Sequence, residues 1–272
     1  MTPPIGNITR GTTAPNRLRR CDRWLLHTEC SRLRTLPHAI VVDLGYGAFP
    51  VTTRELADRL HRHVRDDVDV IGLEIDPGRV QQAMPFEGPH LKFRRGGFEL
   101  AGMHADVVRA FNVLRQYDES SVQRSWQEMY QHLAPQGLIV DGTCDEIGRR
   151  AAWIAIRRTA DDAATPESLT LSTHLASLER PSDLAERLPK ALIHHNVEGQ
   201  PVHAFLQAFD RAWALAAPHG TFGARQRWIA AVEQLRDAGT PILGDRKRWS
   251  LGEVTVPWNV VAPLSAAGNA LT

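Results

Sequence analysis

Two acids and two glycines give this sequence its clearest chemical signal. In "VVDLGYGAFP" (41–50) Asp43 is followed by Gly45 and Gly47, and the apolar run "VDVIGLEID" (68–76) ends in a second acid, Glu74. Glycines at the end of a buried strand let the backbone turn tightly and let a ligand approach the main chain. A carboxylate at the end of the next strand can accept two hydroxyl hydrogen bonds in a bidentate fashion. A second polar concentration, "DGTCDEIGRR" (141–150), follows the apolar "GLIVDGT". Its adjacent acids, Asp145 and Glu146, are the candidates for taking a proton from a reacting hydroxyl. Spacing does not choose between them. Asn112, Arg115, Tyr117 and Thr143 are further candidates on the acceptor side. His194-His195 reads either as a base titrating near neutrality or as a helix-end pair. Asp141, Asp145 and Glu146 are hard oxygen ligands of the kind Mg²⁺ takes, but such clusters are commonly solvated turns, so no metal ligand is assigned.

These residues need elements to hold them. "AIVVDLG" (39–45) reads as a strand buried on both faces. "TTRELADRLHRHV" (52–64) reads as a helix, with Thr52 and Glu55 at capping-box spacing. Residues 68–76 form a second strand, after which Pro77 opens a short helix that Asp76 starts. A third strand is expected in 91–100, interrupted at Gly96-Gly97. A fourth is expected over 106–114, then a helix over 121–133 closed by "APQG", then a fifth strand over 137–143. Alternating strands and helices imply right-handed crossovers and a parallel sheet. Two strand-like runs, "AAWIAI" and "SLTLSTHLASL", suit an antiparallel pair at one side of it. Helices are expected over 181–190, 200–217 and 222–237, with Trp213 and Trp228 in the core.

A dinucleotide site needs G-x-G-x-x-G, and Pro50 stands in the third glycine's place. Asp43 would also lie close to a pyrophosphate and repel it. The order strand, acid-x-Gly-x-Gly, helix, strand, acid resembles the first two motifs of class I S-adenosylmethionine-dependent methyltransferases. The resemblance covers roughly residues 39–175. It implies a Rossmann-like, mostly parallel α/β sheet with an antiparallel pair at one side and extra N- and C-terminal helices. It implies S-adenosylmethionine as cofactor, with Asp43, Gly45, Gly47, Glu74, Gly97, Phe98 and Asn112 around it. Asp43 would sit beside the cofactor's cationic amino group, and Glu74 would hold both ribose hydroxyls. "LKFRRGGFEL" falls where that family contacts adenine, "ADVVRAFNVLRQY" resembles its fourth-strand motif, and "LAPQGLIVDGT" its passage into strand five.

The chain has 272 residues, 43% of them hydrophobic and 23% charged, which is ordinary globular composition. Three domains are expected: a basic helical segment or lid over 1–38, the cofactor-binding core over 39–178, and a helical extension over 179–272. Residues 1–40 carry seven arginines against Asp22 and Glu29, a net of +5, while the whole chain is +1. The basic segment reads either as an anion-binding lid, with residues 7–24 over the crevice, or as a solvated amphipathic helix with Leu18, Trp24, Leu25 and Leu33 turned inward. The near-balanced charge argues against nucleic acid as partner. No apolar run is long enough to span a bilayer, no signal peptide is apparent, and the three cysteines suit neither a disulfide scaffold nor a zinc ribbon. A cytoplasmic enzyme is expected, methylating a small polar molecule at oxygen and compatible with a homodimer. RNA methylation using the arginine-rich N-terminus, and a non-catalytic binding protein on the same scaffold, are the alternatives.

Overall fold

The computed structural model describes residues 3–161 and 163–264; residues 265–272 of the expected C-terminal extension and residues 1 and 2 of the expected lid lie outside them. Along the chain run helix α1 (Arg19–Thr35), strand β1 (Ile40–Leu44), α2 (Val51–His63), β2 (Asp69–Glu74), α3 (Pro77–Ala83), β3 (Leu91–Arg95), β4 (Ala105–Phe111), α4 (Val122–Gln131), β5 (Leu133–Cys144), β6 (Arg150–Arg157), β7 (Pro166–Thr173), α5 (Lys190–Ile193), α6 (Pro201–Leu215), α7 (Ala224–Asp237), α8 (Arg246–Trp249) and β8 (Glu253–Pro257). The eight strands make a mostly parallel, Rossmann-like sheet with an antiparallel pair, β7 with β8, at one side. The chain divides into two compact units, residues 1–148 with 156–164, and residues 149–155 with 165–272.

The first unit holds the parallel strands in the order β3-β2-β1-β4-β5. β1 lies between β2 and β4, with Asp43 beside Gly72 on one side and Arg109 on the other. The order therefore reverses between β1 and β4, the place where open α/β sheets leave a crevice at the carboxyl ends of their strands. β-Branched and aliphatic residues fill β1, β2 and β4, as strands covered on both faces require. The basic N-terminal helix is amphipathic, with Trp24, Leu25 and Leu33 buried. Its acids are buried too. Glu29 bonds Arg32 at 2.8 Å and Arg157 at 2.7 Å, and these guanidiniums hold its carboxyl below the usual range although burial pushes the other way.

Three local expectations change. α2 begins at Val51 with Pro50 at its N-cap and no side-chain cap. Thr52 and Glu55 do not form a capping box, because Glu55 accepts instead from the Asn16 amide and Arg59. The "APQG" segment lies inside β5, not at a helix end. The register with β4 jumps from Ala105↔Leu133 to Val107↔Leu138, and Gln136 turns left-handed (φ 62) within the bulge. Residues 181–187 form a 3₁₀ turn where a longer helix was expected. Leu188 is extended before Pro189, as residues preceding proline prefer.

In the second unit, β7 and β8 pair from Ser168↔Pro257 to Ser172↔Glu253, and the Thr170 and Thr255 hydroxyls bond at 2.9 Å. α6 and α7 pack through Phe209, Trp213 and Trp228, with Phe209 and Trp228 centroids 5.0 Å apart. Arg227 covers the Trp213 ring at 3.9 Å.

Candidate cofactor crevice

The crevice is built by four strand ends. After β1 the chain turns at Gly45, whose amide donates to the Leu73 carbonyl at 2.8 Å, and at Gly47, both left-handed (φ 71 and 86). β2 ends on Glu74, only 2% exposed. Its Oε2 accepts from the Gly47 amide at 3.1 Å and from Arg79 Nη1 at 3.3 Å, and its Oε1 accepts from the Ile75 amide at 2.8 Å. Asp76 caps α3 by accepting from the Arg79 amide at 3.0 Å, the role expected of it. Gly96, Gly97 and Phe98 follow β3. Phe98 is buried and meets the Tyr117 ring edge-on at 5.3 Å. Leu44, Gly45, Glu74, Gly97, Phe98 and Tyr117 line one cavity.

Asp43 lies behind this loop. Its Oδ1 accepts from Arg109 Nε at 2.8 Å, and its Oδ2 meets Arg109 Nη2 at 2.8 Å and the Thr53 hydroxyl at 2.7 Å. Arg109, 0% exposed at the centre of β4, also pairs with Asp22 of α1 and donates to the Thr52 carbonyl at 3.0 Å. Arg59 of α2 is the second cation on Asp22. Burial alone would lower the Arg109 pKa, but Asp22 and Asp43 raise it, so the guanidinium stays charged. The sequence reading missed Arg109. Its signal is a charged residue in the middle of "ADVVRAF", which must find partners when the strand is buried.

Asn112 is left-handed (φ 59) just past β4. Its Oδ1 accepts from the Cys144 amide at 3.0 Å and its Nδ2 approaches Cys144 Sγ at 3.4 Å, joining the ends of β4 and β5. Burial pushes the Cys144 thiol up. Asp145 and Glu146 begin the turn after β5. Glu146 is exposed and Asp145 half-buried, and the Asp145 carbonyl accepts from Arg17 Nε at 2.9 Å. Among the described residues no group of three or more His, Cys, Asp or Glu could hold a metal. No helix there is long and apolar enough to cross a membrane.

Residues of the N-terminal segment lie in the crevice itself. The Phe98 amide donates to the Ile5 carbonyl and the Ala48 amide to the Gly11 carbonyl, each at 2.9 Å. A Cβ at Gly97 would stand 2.0 Å from the Ile5 carbonyl oxygen, and one at Gly47 2.7 Å from that of Gly11. The cavity that remains, about 10 Å³, has room for about one water molecule.

No protein-family model matches the chain, and no curated protein does. Among solved structures the chain is similar to several proteins at low identity. A cyclopropane synthase from Mycobacterium tuberculosis is 15% identical, over 44% of this chain and 42% of that one, with a TM-score of 0.35. The DszA carbon methyltransferase is 20% identical, over 46% and 34%, with a TM-score of 0.40. Magnesium protoporphyrin IX methyltransferase from Synechocystis PCC 6803, solved with bound SAH, is 17% identical, over 47% and 54%, with a TM-score of 0.37. The match thus spans about a third to a half of those proteins' lengths.

Proposed function

We propose that the chain binds S-adenosylmethionine in this crevice and transfers its methyl group to a small polar acceptor, at oxygen. One observation carries the reading. The Gly47 amide on Glu74 Oε2 joins the glycine loop after β1 to the acid that ends β2, next to the reversal of strand order between β1 and β4. The residue types fit the cofactor. Gly47 and Gly97 present side-chain-free backbone faces that admit close approach, as the Gly11 and Ile5 backbones make there, and Glu74 offers a buried carboxylate beside Gly47. The cofactor, when bound, supplies an electrophilic methyl on a sulfonium.

The chain's own groups bind, orient and take a proton. Glu74 accepts the two ribose hydroxyls. Gly97 and Phe98 flank the base, and Gly45 and Gly47 admit the cofactor's chain to the backbone. Asp43 acts from behind the loop, its charge matched by Arg109, and fixes the end of β1 through Thr53. Asn112 fixes the end of β4 against Cys144. Asp145 or Glu146 receives the acceptor's proton. The near-balanced charge, +1 over 272 residues, favours a small molecule over nucleic acid.

Calorimetry with S-adenosylmethionine, its demethylated product and NAD tests the reading, followed by a labelled-methyl screen of metabolite fractions. The first two should bind and NAD should not. Glu74→Ala should weaken both by about ten- to a hundredfold, the cost of a charged hydrogen-bond pair. Unchanged affinity in a folded Glu74→Ala variant removes the ribose assignment. A non-catalytic scaffold is the second reading, favoured by the chain's own residues lying in the crevice; it gains if neither form of the cofactor binds.

A further inference from the structure

Residues 5–11 bond to Phe98 and to groups next to those assigned above to the cofactor. Besides the Phe98 and Ala48 amides, Arg79 donates Nη2 to the Thr9 carbonyl at 2.9 Å while its Nη1 holds Glu74. The Ile5 amide donates to Glu99 Oε2 at 2.7 Å, and the Arg10 amide to Gln116 Oε1 at 2.9 Å. Tyr117 Oη accepts from the Asn7 amide and lies 3.3 Å from the Asn7 carbonyl. Burial pushes the Tyr117 pKa up, against the opposing effect of its backbone bond to Asn7. The glycine faces at 47 and 97 are filled by the backbones of Gly11 and Ile5.

We propose that residues 5–11 are a competing occupant of the crevice: strap and cofactor take the same glycine faces, at Gly47 and Gly97 beside Glu74 and Phe98, and each excludes the other. The proposal rests on the S-adenosylmethionine reading and adds regulation to it. It also opposes a lid in sign. A lid closes over bound cofactor, so its removal weakens binding. A competitor's removal strengthens binding. Because the strap belongs to the same chain, its effective concentration is high, and the apparent dissociation constant rises by the factor that docking depopulates the open crevice.

The test is calorimetric titration of three proteins with the demethylated cofactor, S-adenosylhomocysteine. These are the full chain, a variant lacking residues 1–11, and Gly6→Val. Gly6 has φ 133, and a Cβ there would stand 2.9 Å from both Ile75 Cδ1 and Tyr117 Oη, so the substitution dislodges the strap without shortening the chain. Both variants should bind about tenfold tighter or better. In the full chain, saturation should speed hydrogen exchange at the Asn7 and Arg10 amides. Equal or weaker binding in both variants, or strap amides that stay protected at saturation, overturns the competition and leaves the cofactor assignment standing. If none of the three binds, the cofactor assignment fails and the competition fails with it. If the shortened chain does not fold, Gly6→Val decides alone.

Discussion

Arg109 sits in the middle of a strand where water does not reach, and each of its three nitrogens is directed at Asp22, Asp43 or the Thr52 carbonyl. Removing one partner of such a buried set leaves uncompensated charge, which costs about 3–5 kcal/mol. Arg109→Met should therefore lower unfolding stability by that order in a urea titration, and a loss under about 1 kcal/mol would mean water or rearrangement compensates the two acids. Asp141 on β5 is the opposite case. It is buried with one neutral donor, Trp126 Nε1 at 3.0 Å, and burial pushes its pKa up to about 7. Its folded pKa lies above the unfolded value, so the fold holds this proton when the unfolded chain has lost it. Stability should thus be highest below about pH 4 for this group and fall towards pH 7 by up to about 1.4 kcal/mol per pH unit. Asp141→Asn should flatten that part of the pH–stability curve. The glycines and Glu74 were legible in the sequence because one strand–helix–strand unit fixes their spacing. The partners of Asp43 were not. Arg109 lies 66 residues away, and no local spacing records such a pairing.

Helix α1 and the segment before it carry more of the site than an arginine count suggests. Arg17 donates Nε to the Asp145 carbonyl and Nη1 to the Thr12 carbonyl, and a Cβ at Gly148 would stand 2.0 Å from the Arg17 carbonyl oxygen. The turn holding Asp145 and Glu146 is thus gripped by the N-terminal segment. Arg17→Ala should loosen it, seen as faster hydrogen exchange over 145–148 and a loss of about 1–3 kcal/mol for the charged hydrogen bonds. Exchange unchanged in that turn would show that β5 and β6 hold it without help. The five parallel strands of the first unit were readable because apolar runs alternate with amphipathic helices. The β5 bulge was not, since "APQG" carries the same turn signals inside a strand as after a helix. The path of residues 5–11 was not either. A stretch without periodicity says nothing of where its carbonyls bond.

Along the chain, membership of the two compact units alternates, with residues 149–155 belonging to one and 156–164 to the other. The returning segment completes the first unit. The Ala164 amide donates to Gln127 Oε1 at 3.0 Å, Tyr130 Oη to the Asp161 carbonyl at 2.7 Å, and Arg157 reaches Glu29. A fragment of residues 1–164 should therefore melt well above one of residues 1–148; equal melting temperatures would mean that the returning segment adds nothing to the fold. The buried charge set has a different consequence, for how this sequence can drift over generations. Asp22, Asp43, Arg59 and Arg109 come from α1, β1, α2 and β4, and exchanging any one alone unbalances the two acids against the two guanidiniums. Replacing such a set by well-packed apolar residues can be neutral or favourable, but each single step towards it is costly. The four positions should therefore act as a ratchet, kept together or exchanged together, and their joint presence in another chain would then be a better sign of descent than the glycine loop.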